Sequence, residues 1–132
     1  MTAHSAHLFS IAPGSSEPIY RQLVDQVRRL VAGGQLAPGD SMPSVREIAQ
    51  ALALNPMTVS KSYGMLEIEG VLSRRRGIGM VVADAPKRGH SVSARAELLR
   101  PTLERAAIEA RQLKLDPATV LALFTKIMKE AP

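Results

Sequence analysis

Two helix-start signals in close succession constrain the fold of this 132-residue chain more than any other feature. Ser44 and Glu47 have the S-x-x-E spacing of a capping box, in which each side chain satisfies a free backbone amide at a helix start. Asn55 and Pro56 repeat the signal, because Asn caps helices well and Pro fits the first helical position. Two short helices separated by about three residues predict a helix-turn-helix.

Apolar residues at the spacing of one helix face predict three helices in this part of the chain. The three segments are residues 17–32, 44–52 and 56–69. The Gly33-Gly34 pair ends the first helix. In the third helix the spacing turns Val59, Tyr63 and Leu66 inward, which leaves the opposite face exposed. An exposed face beside a capped start is typical of a DNA-recognition helix.

Two short β-prone runs, residues 71–73 and 80–82, follow the third helix. Between them lies a basic segment, Arg74–Gly79, with three arginines and two glycines. The pattern predicts a hairpin with a basic tip, which after a helix-turn-helix is a wing. Residues 1–16 are rich in Ser, Ala, Gly and Pro, and we expect them to be loose, with at most a short strand at residues 8–11.

Residues 18–82 resemble the N-terminal winged helix-turn-helix of the GntR family of bacterial transcription regulators. The family carries an L-P-S-x-R-E-L-A segment, a T-V-x-x-x-Y/A recognition helix, an L-E-x-E-G helix end and a wing near R-x-G-x-G-T-F-V. The matching residues here are 42–49, 58–63, 66–70 and 75–82. Residues 18–22 and 55–63 resemble the YtrA subfamily, in which only a short helical tail follows the DNA-binding domain. The chain departs from the family pattern at Met57, Gly64 and Met80-Val81.

The resemblance implies a set of DNA-binding residues. They are Ser44, Arg46, Met57, Thr58, Ser60, Lys61, Arg75, Arg76, Gly77 and Gly79. The planar guanidinium of Arg46 can bind a phosphate or the O6/N7 edge of guanine. Thr58 and Lys61 match recognition-helix contacts in the major groove. Whether Arg74 contacts DNA stays an open question, because one of three consecutive arginines in a hairpin normally points away from DNA.

The last third of the chain has the pattern of an association surface. After a linker at residues 85–91, apolar residues recur at alternating spacings of four and three, which is a heptad seam. We assign residues 92–130 to a helical dimerisation region, and the alternative is that this tail folds back on its own winged domain. Pro101 predicts a kink or a helix that begins there, and Asp116-Pro117 predicts the cap of a last helix. The residues assigned to dimerisation are Leu99, Leu103, Ala106, Ala110, Leu113, Phe124 and Ile127.

Composition excludes several other classes of protein. The net charge of +5 is concentrated after residue 84, where nine Lys/Arg face five Asp/Glu, against eight and seven before it. Without cysteine there is neither a disulfide nor a thiolate metal site. No apolar run predicts a membrane span or an export signal. None of His4, His7 and His90 has a carboxylate nearby in the sequence at a spacing that would fix its tautomer, so we predict no metal, no cofactor and no enzymatic site.

We therefore expect a mostly α-helical fold with a small β-hairpin, in which a winged helix-turn-helix at residues 17–84 precedes a short two-helix dimerisation tail. The expected function is that of a cytoplasmic, sequence-specific transcription regulator. It would be a homodimeric repressor on a pseudo-palindromic double-stranded DNA operator near its own gene or a transporter operon, with the question of a small-molecule effector open. The alternative function is non-specific nucleic-acid binding in a nucleoid-associated architectural protein.

Overall fold

Three helices and a hairpin form around the predicted helix starts. The structure, a computed structural model, describes residues 3–84 and 92–130, so the predicted linker at residues 85–91 lies outside the described residues. The elements are α1 Ile19–Ala32, α2 Val45–Leu52, α3 Pro56–Ile68, β1 Leu72–Arg75, β2 Gly79–Val82, α4 Val92–Gln112 and α5 Pro117–Glu130, preceded by a short 3₁₀ helix, Ala6–Leu8. The chain divides into two compact units, Met1–Arg95 and Ala96–Pro132. No helix in the described ranges has the length and apolar character needed to cross a membrane.

Both helix-start signals are confirmed. The Ser44 hydroxyl accepts a hydrogen bond from the Glu47 amide at 3.0 Å, and the Glu47 carboxylate accepts one from the Ser44 amide at 3.1 Å. At α3 the Asn55 side-chain oxygen accepts from the Met57 amide at 2.9 Å. Between the two helices Ala53 adopts a left-handed conformation, with φ 54°, and its amide donates to the carbonyl of Ala49. This tight ending of α2 leaves room for only a short turn before α3.

The core lies where α1, α2, α3 and the hairpin meet. Val59, Tyr63 and Leu66 of α3 are buried, as the helical spacing predicts. The other large contributors come from every neighbouring element: Leu23, Val24, Val27, Leu36, Ile48, Leu72 and Val82. Because α3 buries this whole stripe, its opposite face is free to contact another molecule.

The hairpin is joined to the segment that precedes α2. Strands β1 and β2 pair antiparallel, with Leu72 opposite Val82 and Arg75 opposite Gly79. The Met42 amide donates to the Met80 carbonyl at 2.9 Å, and the Val82 amide donates to the Asp40 carbonyl at 2.8 Å. These bonds fix the wing relative to the start of α2.

The prediction of a loose segment at residues 1–16, with at most a strand at 8–11, is wrong for its described part. No strand forms at residues 8–11, of which only Leu8 belongs to the 3₁₀ helix, and Phe9 is only 3% exposed in the core. The Gln26 side-chain oxygen accepts from the Ser10 amide at 3.0 Å, and that of Gln22 accepts from the Ala12 amide at 2.9 Å. Core packing and these glutamines of α1 order a segment whose own composition predicts no structure.

Pro101 predicted either a kink or a helix that begins there, and the second of these is wrong. Helix α4 runs from Val92 to Gln112 with Pro101 inside it, so the helix does not begin at the proline. The predicted cap of α5 is confirmed, because the Asp116 carboxylate accepts from the Thr119 amide at 2.9 Å. This hydrogen bond lowers the pKa of Asp116 below its ordinary value. The last helix therefore begins where the sequence predicts.

Gly64 gives a direct test of the local forces in α3. A β-carbon at this position would meet no atom within 4 Å, and the residue lies inside the helix. Gly64→Ala should therefore raise the free energy of unfolding by about 0.5–1 kcal/mol, measured by urea denaturation, because Ala loses less backbone entropy than Gly.

The matched control is Gly70→Ala at the end of the same helix. Gly70 also has open space around it, but its φ of +82° is a left-handed conformation. This substitution should cost about 1–2 kcal/mol. If the two substitutions changed the free energy of unfolding in the same direction, backbone entropy and conformation would not explain the roles of these two glycines.

Candidate nucleic-acid interface

The start of α2 presents two of the predicted contact residues to solvent. Ser44 caps the helix and Arg46 lies in its first turn, and both side chains are exposed. Amide groups at a helix start carry partial positive charge, so they favour an anion such as phosphate. Arg46 adds a full positive charge to this end of the helix.

The exposed face of α3 carries the remaining predicted helix contacts. Met57 is 78% exposed, and Ser60 and Lys61 are also exposed, whereas Thr58 is half-buried. The residues lie opposite the buried stripe of α3. The structure thus brings Met57, Thr58, Ser60 and Lys61 together on one side of the helix, as the sequence predicts.

The wing supplies a second basic edge. Arg75, Arg76, Gly77 and Gly79 are all exposed at the tip of the hairpin. Gly77 and Gly79 have φ angles of 80° and 105°, which glycine adopts without strain. A tip with these two glycines lets the backbone turn tightly behind the arginines.

Arg74 forms an ion pair within the protein. Its guanidinium lies 3.6 Å from the carboxylate of Glu67 on α3, although the side chain is 68% exposed. On the other side of the helix end, Arg28 of α1 binds Glu69 and lies 3.0 Å from Asp25. The hydrogen bond with Glu69 raises the pKa of Arg28.

The cationic side chains of the winged domain therefore fall into a paired group and an unpaired group. The acids at the far end of α3 are neutralised by Arg28 and Arg74. By contrast, six cations of residues 3–84 form no ion pair with any residue in the described ranges: Arg21, Arg29, Arg46, Lys61, Arg75 and Arg76. Four of them, Arg46, Lys61, Arg75 and Arg76, lie at the start of α2, on the exposed face of α3 and on the wing, where a polyanion would meet them.

Tyr63 is confirmed as a core residue, and it also links α3 to the segment before α2. Its hydroxyl donates to the Pro43 carbonyl at 2.6 Å, directly before the start of α2. Burial raises the pKa of this phenol well above its ordinary value, and the negative charge of Glu47 adds to the effect. Tyr63 also lines a cavity of about 330 Å³ shared by Ser44, Arg74 and Gly79. The start of α2 and the wing thus border the same cleft.

Two contacts near the interface were missed in the sequence. The Lys61 ammonium lies 3.9 Å from the centroid of the Tyr20 ring on α1. His4 Nε2 lies 2.7 Å from Asp40 Oδ2, a carboxylate too distant in the sequence to be found from spacing. Asp40 also accepts from the Ala37 amide at 3.0 Å, so the pair belongs to a turn. Within residues 3–84 and 92–130, no group of three or more potential metal ligands is present.

Comparison with known proteins agrees with this geometry. The sequence profile of the gntR family of bacterial regulatory proteins matches residues 19–82, which span α1 to the last strand of the wing. The transcriptional repressor YtrA of Bacillus subtilis is 38% identical over 103 residues, 78% of each chain. The chain belongs to the GntR family.

The similarity to YtrA proteins extends beyond the winged domain. The solved structure of YtrA from Sulfolobus acidocaldarius, a GntR-family transcription factor, has a TM-score of 0.56 and 29% identity. The match covers 93% of this chain and 98% of the chain of that YtrA. A match of this extent includes the helical tail, so the resemblance to the YtrA subfamily is confirmed.

A further solved structure shows a similar domain on DNA. It is the DNA-binding domain of AraR in complex with operator ORX1, with a TM-score of 0.51 and 26% identity. The match covers 61% of this chain and 99% of that domain. The winged helix-turn-helix of this GntR-family chain therefore has the fold of a domain that binds an operator.

The buried phenol predicts a dependence of stability on pH. In the unfolded chain Tyr63 titrates near pH 10, whereas in the folded chain its pKa is higher. Its contribution to stability is therefore complete below about pH 10 and is lost as the pH rises above that value. We expect the free energy of unfolding to fall over this range in the wild type, as measured by urea denaturation.

Tyr63→Phe is the matched variant. It should be less stable at pH 7 by about 1 kcal/mol, because the hydrogen bond to Pro43 is lost. The difference from the wild type should shrink as the pH rises above about 10. Stability curves that stay parallel across this range would contradict the assignment.

Proposed function

We propose that this protein is a sequence-specific transcription repressor that binds an operator as a homodimer. The observation that carries the proposal is the placement of charge: the acids at the far end of α3 are paired with Arg28 and Arg74, whereas four of the six unpaired cations lie at the start of α2, on the exposed face of α3 and on the wing. The repressor YtrA and the operator-bound domain of AraR support the same function. Occupation of a promoter by the dimer is the simplest way to repress.

Within this proposal α3 reads the major groove. Thr58 and Ser60 offer hydroxyl groups to base edges, and Met57 offers an apolar tip that suits a thymine methyl. Arg46 binds a guanine edge or a phosphate, while Ser44 and the helix start donate to phosphate. At the wing, Arg75 and Arg76 follow the backbone of the duplex, and Gly77 and Gly79 let the hairpin approach it closely.

The proposed dimer rests on the apolar faces of the tail. In residues 92–130 no side chain is buried, and Leu113 is 70% exposed and Leu103 43% exposed. Removal of such surfaces from water is a main driving force of protein association. A second copy fits this role, because the seam is heptad-spaced and a two-fold dimer places two recognition helices about 34 Å apart.

The other proposed interface residues occupy the same two helices. They are Leu99, Ala106 and Ala110 of α4 and Phe124 and Ile127 of α5. Ala110 is half-buried, and the others are exposed. The small residues allow helices to approach closely, and the large ones provide most of the apolar area.

Non-specific chromosome packaging is not favoured. The family is one of transcription regulators, and residues 1–84 have eight Lys/Arg against seven Asp/Glu. A nearly neutral domain gains less from non-specific attraction to phosphate than a strongly basic one. We propose a cytoplasmic regulator without catalytic activity, since the family acts on DNA by binding it.

The first test compares two duplexes of equal length at one salt concentration. The duplex from upstream of the protein's own gene should bind more tightly than a random duplex by a factor on the order of 10³ or more, measured by fluorescence anisotropy. Arg46→Ala should weaken the tighter binding by about 1–3 kcal/mol without a change in melting temperature, because the side chain is exposed.

Arg29→Ala is the control, since Arg29 is an equally exposed arginine near the end of α1. It should leave DNA affinity close to that of the wild type. Equal affinity for the two duplexes would favour the packaging function, and an unaltered affinity of the Arg46 variant would remove that residue from the interface.

The second test concerns the tail. Leu103→Asp should turn the dimer into a monomer in light scattering, because a buried charge without a partner is costly. Arg105→Asp places the same residue on the opposite side of α4 and should leave a dimer. A dimer that survives Leu103→Asp would rule out this seam as the interface.

A further inference from the structure

The aromatic ring of Tyr20 lies beside two cations at the junction of α1 and α3. The Lys61 ammonium is 3.9 Å from the ring centroid, and the Arg21 guanidinium carbon is 5.8 Å from it. Both distances are within the range of cation–π attraction. Neither cation forms an ion pair with a carboxylate in the part of the chain that the structure describes.

The position of this ring relative to α3 is fixed by the backbone. The Ser62 hydroxyl shares its proton between the Tyr20 carbonyl at 3.0 Å and the Thr58 carbonyl at 3.2 Å, and the buried Ser62 is next to Lys61 in the sequence. The first turn of α1 is thus attached to the middle of the recognition helix. The ring is half-buried, so its plane is held by packing while one part stays open to Lys61.

A lysine on an exposed helix face ordinarily samples many rotamers, and these must be given up when it binds a ligand. In the free protein the Lys61 ammonium already lies over the Tyr20 ring. The ring contacts one side of the ammonium, and the N–H groups on the other side remain available as donors. Arg21 beside the same ring increases the local positive potential, which suits an anion.

The position of the ammonium also indicates which part of the DNA it meets. Lys61 reaches sideways from α3 toward α1, whereas Met57 projects into solvent from the start of the helix. A lysine at the flank of a recognition helix is suited to the phosphates that border the groove. Contacts to phosphate carry no sequence information, so this contact should act equally on every duplex.

We propose that Tyr20 is a positioning residue for DNA binding, whose ring holds the Lys61 ammonium in place for a backbone phosphate. This inference rests on the proposed function, because it assumes that α3 enters DNA. It refines the role implied by the family resemblance, in which Lys61 contacts the major groove.

The geometry is tested first in the free protein. Protons above an aromatic ring are shifted upfield in NMR spectra, so the ε-methylene protons of Lys61 should lie upfield of those of the other lysines. The shift should persist in Tyr20→Phe, which keeps the ring, and vanish in Tyr20→Leu, which keeps apolar volume without it. An unshifted Lys61 signal in the wild type overturns the inference.

The effect on DNA binding is then measured with the duplex from upstream of the gene and the random duplex. Tyr20→Leu should weaken binding of both by the same factor, about 2- to 5-fold, and Tyr20→Phe should bind like the wild type. Lys61→Met should weaken both equally and lower the slope of log K against log salt by about one. In the double variant Tyr20→Leu/Lys61→Met, affinity should be no lower than in Lys61→Met alone.

Three results separate the inference from the proposed function. If the wild type binds the upstream duplex and the two substitutions act additively, the positioning role is wrong and the function stands. If the wild type does not prefer the upstream duplex, the proposed function fails. If Lys61→Met lost affinity only for the upstream duplex, the proposed phosphate contact would be wrong. Lys61→Met tests this contact even if Tyr20→Leu lowers the melting temperature.

Discussion

The hydrogen bond between the Tyr63 hydroxyl and the Pro43 carbonyl joins the parts of the winged domain that would face DNA. Tyr63 lies on the buried stripe of α3, and Pro43 directly precedes the capped start of α2. Next to Pro43, the Met42 amide donates to the wing at Met80. A buried polar bond at this point sets the relative positions of the two helix starts and the hairpin, since a phenol left without its partner would be costly.

The net charge of the winged domain is small, but its charged side chains are unevenly placed. Arg28 and Arg74 neutralise the acids at the far end of α3, and the unpaired cations lie elsewhere. Because screening limits electrostatic attraction to about 10 Å at 0.1 M salt, the local placement of cations matters more than the sum. The tail has the opposite character, since many of its large apolar side chains are exposed, and its proposed role is association with a second copy.

Much of the winged domain could be predicted from local sequence signals. The capping box at Ser44 and the Asn55-Pro56 start act within a few residues, so they are readable without the fold. The core stripe of α3 followed from helical spacing, and the hairpin from its glycines. The order of residues 3–16 could not be predicted, because Phe9 is fixed by packing against distant elements. The pairs His4–Asp40 and Tyr20–Lys61 were missed for the same reason, since each joins residues far apart in the chain.

The most direct test of the central claim is to map the DNA-binding surface residue by residue. Backbone amide shifts of the full chain would be followed by NMR during titration with the duplex from upstream of its gene. The account predicts that the largest changes fall at the start of α2, along the exposed face of α3 and at the wing tip, with residues 117–130 of α5 nearly unchanged. Changes centred on α5, or spread evenly over the chain, would contradict it.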